Sequence, residues 1–204
     1  MTNFTAVQSR PVPTTRTTDE KATLAHRGAW LGAIGAAAWI AIGVDSIVGT
    51  DVAHYRDAVW SVPWVLTYLM FLRLHLVQRD RTGPRGDTIF KVLTLGMALT
   101  WAGSIGIVFD VKALAFLGFP LGALIWVVVL VFFGLSTMKA GVLPKYTGIV
   151  LILLEPCSML TGFLLQPIAP IADRGAYSGA TEKGAFVAII AWELFRFARR
   201  RTCS

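Results

Sequence analysis

From Gly28 to Phe197 the chain is a succession of long apolar runs, separated by short segments that hold many of its charges. A run of about 18 or more apolar residues is long enough to cross a bilayer as an α-helix. A helix does so because all its backbone hydrogen bonds close within the segment. This one feature predicts an all-α membrane protein, a bundle of six transmembrane helices. The helices are expected at about 28–48, 59–77, 88–109, 114–137, 146–165 and 181–197. A polar, Thr-rich tail over 1–27, with Pro11 and Pro13, is expected to be flexible. The bundle then covers 28–198, and a basic C-terminal tail covers 199–204.

Composition separates this chain from a soluble domain. Only 15% of its residues are charged and its mean hydropathy is +0.62, against about 25% charged in soluble domains. The net charge of +7 would suggest nucleic acid in a soluble protein. Here the basic residues sit at helix ends, where they set orientation and meet anionic headgroups, so nucleic acid is not an expected partner. The expected partners are membrane lipids, a hydrophobic small-molecule ligand, and a second copy of the chain in a homo-oligomer. Gly28-x-x-x-Gly32, the stripe Ala98, Ala102, Gly106, and the pair Gly118 and Gly122 would let helix backbones approach closely.

Lys and Arg are counted next by side. The N-terminal tail, the 78–91 region, the Lys139–Lys145 loop and the C-terminal end hold fourteen of the nineteen. Arg56, Lys112, Arg174 and Lys183 fall on the other side, and Arg73 lies within a helix. A bias that alternates correctly across six helices predicts cytoplasmic termini and a multi-pass cell-membrane protein, in the plasma membrane if bacterial.

Glu155 stands in the middle of an apolar run and is followed at once by Pro156. A carboxylate at the centre of a bilayer helix costs roughly 2.5–3.5 kcal/mol, so it is expected to face protein or water. Pro156 lacks an N–H and is expected to bend the helix. At about 1.5 Å per residue, Trp39, Tyr68, Trp101 and Trp126 reach a similar depth on four other helices. They are the expected lining of a mid-membrane pocket, whereas Trp30, Trp60, Trp64 and Trp192 fit an interfacial belt. Toward the outer side lie Asp45, Asp110 and the group Asp51, His54, Asp57. Toward the inner side lie Arg73, His75 and Glu193, with Arg73 and Glu193 expected to form a structural ion pair. No metal motif such as H-E-x-x-H is present, and neither a metal nor another cofactor is expected. Cys157 and Cys203 should lie too far apart to bridge.

Three functions fit these parts. The first is a membrane protein without an assignable activity, whose aromatic and acidic pocket takes a lipid-soluble small molecule. The second is an acid/base enzyme with Glu155, Asp45 and Asp110 as catalytic residues. This arrangement has a loose similarity, without an aligned motif, to small membrane-bound terpene cyclases. That implies acid-initiated chemistry on an isoprenoid or lipid. The third is a small transporter or accessory subunit with a proton or cation pathway.

Overall fold

A computed structural model describes residues 16–49, 55–165 and 175–202. All regular structure among them is helical: α1 Thr18–Val48, α2 Tyr55–Val59, α3 Ser61–Val108, α4 Lys112–Phe116, a π-helical turn Leu117–Gly122, α5 Ala123–Ala140, α6 Lys145–Leu165, α7 Gly175–Ser178 and α8 Ala180–Thr202. Asp51, His54, Arg174 and Cys203 lie outside the described residues.

Four stretches are long and apolar enough to cross a membrane: Thr18–Val48, Tyr55–Val108, Lys112–Ala140 and Lys145–Leu165. The difference from six has two causes. The expected second and third helices run together as one helical stretch, interrupted at Gly83. The last helix, α8, is long but carries Glu182, Lys183, Glu193 and a run of arginines.

Gly83 reverses the chain. Its backbone, at φ 60° and ψ −159°, is non-helical and in a region open essentially to glycine alone. Pro84 then opens the second limb of α3, where its missing N–H is harmless. The Trp64 indole N–H reaches the carbonyl of Met97 at 3.1 Å, a contact that a straight helix would forbid. The turn is pinned by Asp87, which accepts from Arg79 at 2.9 Å and meets His75 Nε2 at 3.0 Å. Arg79 holds the Asp87 carboxyl below its ordinary range, against the opposing effect of burial, and His75 adds to the lowering.

α1 begins well before Gly28. Thr17 caps it by accepting the Glu20 N–H at 3.3 Å, while the Glu20 carboxylate accepts the Thr17 N–H at 3.0 Å. This reciprocal cap satisfies two orphan donors. Lys21 pairs with Asp80 at 2.7 Å, and Arg16 donates to the Leu76 carbonyl at 2.8 Å. These ties hold the extra turns against the first limb of α3.

Neighbouring helices run antiparallel and meet through small residues. A methyl on Gly103 or Gly118 would overlap the other's Cα, so the second limb of α3 and the π-helical turn touch backbone to backbone. The stripe on this face is Gly96, Thr100, Gly103; Ala98 is exposed. Of the expected stripe, Gly106 packs closely on Leu114 and Ala115 of α4, whereas Ala98 faces outward. Pro120 sits inside the π-helical turn. α6 runs unbroken through Pro156.

Large apolar side chains face outward along the bundle, among them Ile34, Leu124, Phe132 and Phe163. Polar and charged side chains such as Thr67, Gln78, Thr137, Glu155 and Lys183 are buried. Exposed apolar patches of this extent mark a surface meant for an apolar partner.

Candidate functional site

The interior of the bundle holds an ion pair walled by indole rings. α6 contributes Glu155 and α8 contributes Lys183, whose Nζ stands 2.7 Å from Glu155 Oε1. Glu155 is 6% and Lys183 8% exposed. The ammonium also lies 4.8 Å from the Trp39 ring of α1 and 5.7 Å from the Trp64 ring of α3. Both distances suit attraction of a cation to a ring face.

The rings form one connected wall. Trp60 stacks on Trp64 at 4.6 Å, and Trp39 meets Trp60 at 5.8 Å and Trp64 at 6.4 Å, both edge to face. Trp126 of α5 meets Trp64 at 5.1 Å. Buried indoles usually find an acceptor for the N–H. Trp39 gives its N–H to Thr67 Oγ1 at 3.0 Å, and that hydroxyl donates to the Pro63 carbonyl at 2.8 Å. Trp64 is satisfied by Met97, whereas Trp126 Nε1 is buried without a partner.

The antiparallel register of α6 and α8 explains why Lys183 meets Glu155. Tyr146 donates a short hydrogen bond to Glu193, and Ser158 donates to the Gly179 carbonyl at 2.9 Å. Between these two contacts the helices bring Glu155 opposite Lys183. Farther out, Thr161 donates a short hydrogen bond to Glu182. The α6–α8 contact therefore carries two polar nodes. Leu151, Leu154, Val187 and Ile190, all fully buried, lie between them.

The sequence-predicted residues are distributed as follows. Trp39, Trp126 and Glu155 come together. Tyr68 is half-buried and stacks on Phe90 at 6.2 Å, toward the Gly83 turn. Trp101 is 41% exposed and faces outward. Asp45 accepts from Arg56 at 2.5 Å and from Tyr55 at 2.7 Å, tying α1 to α2. Asp110 is exposed in the turn after α3, at φ 54°.

The Arg73–Glu193 pair is not formed among the described residues. Glu193 accepts from Arg196 at 3.0 Å and from Tyr146, while Arg73 Nε is buried without a partner. Equal depth did not mean adjacency: Arg73 packs its stem on Gly28 of α1, whereas Glu193 turns to α6. Asp57 accepts a short hydrogen bond from Tyr177. Among the described residues no group of three His, Cys, Asp or Glu could hold a metal ion.

Lys183, Trp60 and Trp64 are the members sequence reasoning missed. Lys183 was counted with the outer-surface cations, and the two indoles with the interfacial belt. The available signal was Lys183 itself, a cation inside the expected last helix and in the chain segment after the one carrying Glu155.

The fold and site define a helical bundle with an apolar exterior and a buried, ring-walled ion pair. Compared with protein families, with curated proteins and with solved structures, the chain matches none.

Proposed function

We propose that this chain is a six-span membrane protein with both termini in the cytoplasm, and that its interior binds a lipid-soluble small molecule at the indole-walled Glu155–Lys183 pair. The six spans are α1, the two limbs of α3, the stretch from α4 to α5, α6 and α8. Two supports carry the count: the chain reversal at Gly83, and the neutralisation of α8's Lys183 by Glu155.

The observation that carries the functional reading is the meeting of five helical segments at one charged, ring-lined point. Ionisable residues at membrane depth are costly and mark sites of function by default. The pair itself gains little over apolar packing, because desolvation offsets the attraction. Its presence among four indoles suits recognition of a ligand with an apolar body and a polar head.

Two features favour binding over the other readings. The Lys183 ammonium, 2.7 Å from Glu155, puts a positive charge in the same box, and that charge opposes a carbocation. This weakens the cyclase-like reading. The fully buried Leu151, Leu154, Val187 and Ile190 separate the two polar nodes of the α6–α8 contact, which weakens a continuous proton path.

The test uses the full chain in lipid nanodiscs, with native mass spectrometry and solvent extraction of the purified protein. A lipophilic molecule retained by the wild type and lost from Lys183→Gln is the expected result. If nothing is retained and no lipophilic probe raises the unfolding temperature, the binding reading fails. Reporter fusions after residues 110 and 204 test the topology, with the first expected outside and the second inside.

A further inference from the structure

The hydrogen-bonding capacity around the ion pair is unevenly satisfied. Glu155 Oε1 is held by the Lys183 charge at 2.7 Å, without hydrogen-bond geometry. The ring faces of Trp39 and Trp64 already hold that same cation. The indole N–H groups of Trp39 and Trp64 are both accepted. Of the buried indole donors in this wall, Trp126 Nε1, on a side chain 2% exposed, has no acceptor. An indole N–H can only donate, and a buried donor left unpaired in a folded protein calls for an explanation.

The position of that donor is informative. Trp126 and the Lys183 ammonium flank the same ring, at 5.1 Å and 5.7 Å from Trp64. Thr181, two residues before Lys183 on α8, also has a buried hydroxyl without a partner. A cationic ligand would have to expel Lys183 from Glu155 and from two rings. An acceptor leaves the ion pair in place: it takes the free indole proton and shares the ammonium, which has three N–H groups.

We infer that the ligand of this box is an apolar molecule with a hydrogen-bond-accepting head, a carboxylate or a quinone-type carbonyl, received by Trp126 and Lys183. This rests on the binding reading above and narrows it to one chemical class. The indole cluster suits the apolar body of such a molecule, and the donors suit its head.

The experiment offers three probes to the full chain in nanodiscs: a long-chain fatty acid, an alkyl benzoquinone and a long-chain trimethylammonium. Binding is read by native mass spectrometry and thermal unfolding. An acceptor-headed probe is expected to bind, and Trp126→Phe, which keeps a ring and removes the N–H, to weaken it about tenfold. Lys183→Gln separates the two heads, because the carboxylate depends on the charge more than the carbonyl does. Indole ¹⁵N–¹H NMR on the wild type keeps the test independent of variant stability: an acceptor should move a buried indole proton downfield.

Preferential binding of the trimethylammonium probe, unchanged acceptor affinity in Trp126→Phe, or unmoved indole signals on acceptor binding would each overturn the acceptor class while leaving the binding reading standing. If no probe binds and no lipophile co-purifies, both are overturned.

Discussion

Replacing Glu155 by Gln keeps the side chain's shape and removes the counter-ion of Lys183. At 2.7 Å the attraction between the two charges is about 6 kcal/mol for an effective dielectric of about 20. Most of that attraction is offset by taking both groups out of water, at several kcal/mol each. Removing one partner therefore costs more than the pair's net worth, because the survivor keeps its desolvation cost and loses its compensation. The rings of Trp39 and Trp64 retain about 0.5–2 kcal/mol of attraction for the ammonium, which is too little to replace a carboxylate. The expected destabilisation of Glu155→Gln is about 3–5 kcal/mol. Glu155→Leu combined with Lys183→Met removes both charges and is expected within about 1 kcal/mol of wild type. Equilibrium unfolding in mixed detergent and sodium dodecyl sulfate, followed by circular dichroism, measures both. A Glu155→Gln loss below about 0.5 kcal/mol, or a double variant no better than the sum of its singles, would refute the reasoning.

Other outcomes follow from the packing. Gly118→Val, at the backbone contact with Gly103, should destabilise the bundle by about 1–3 kcal/mol in the same unfolding assay. Gly83→Ala places a Cβ on a backbone at φ 60°, ψ −159° and should cost about 1–3 kcal/mol, although no neighbouring atom obstructs it. Asp87 titrates below its ordinary value in the folded chain. It therefore binds its proton more readily when unfolded, and its contribution is full above about pH 4 and is lost as pH falls through the folded value. Thermal unfolding should show a steeper fall below about pH 4 for wild type than for Asp87→Asn.

How much was legible differs between elements for physical reasons. The α5–α6 turn was read closely because Gly141, at φ 61°, and Pro144 are strong local punctuation. The entry to α6 at Lys145 follows from the same signals. The start of α1 was missed because its capping box lies in a polar, Thr-rich stretch that resembles a tail. The burial of Glu155 was legible from its cost in lipid, and Trp39 and Trp126 from their depth. Its partner was not, because depth fixes position along the membrane normal and says nothing of azimuth. The azimuth of Lys183 comes from the α6–α8 register, set by contacts such as Tyr146 with Glu193. Arg73 and Glu193 failed for the same reason in reverse. Trp64 shows that an aromatic near a helix end can lie in the core, where its N–H meets the Met97 carbonyl and its ring lies 5.7 Å from the Lys183 ammonium.

The Glu155–Lys183 pair also bears on how the chain reaches its membrane. A segment entering alone carries its charges unpaired, and one charge at mid-helix costs roughly 2.5–3.5 kcal/mol. α6 carries one such charge and α8 several. In the six-span reading α6 is made first and waits with an unmet acid, and α8 enters against it as an obligate partner, each cancelling the other's debt. Biogenesis then has an order written into two side chains. Lys183→Glu should leave the last segment outside the bilayer, accessible to protease from the outer face, while the preceding helices remain integrated.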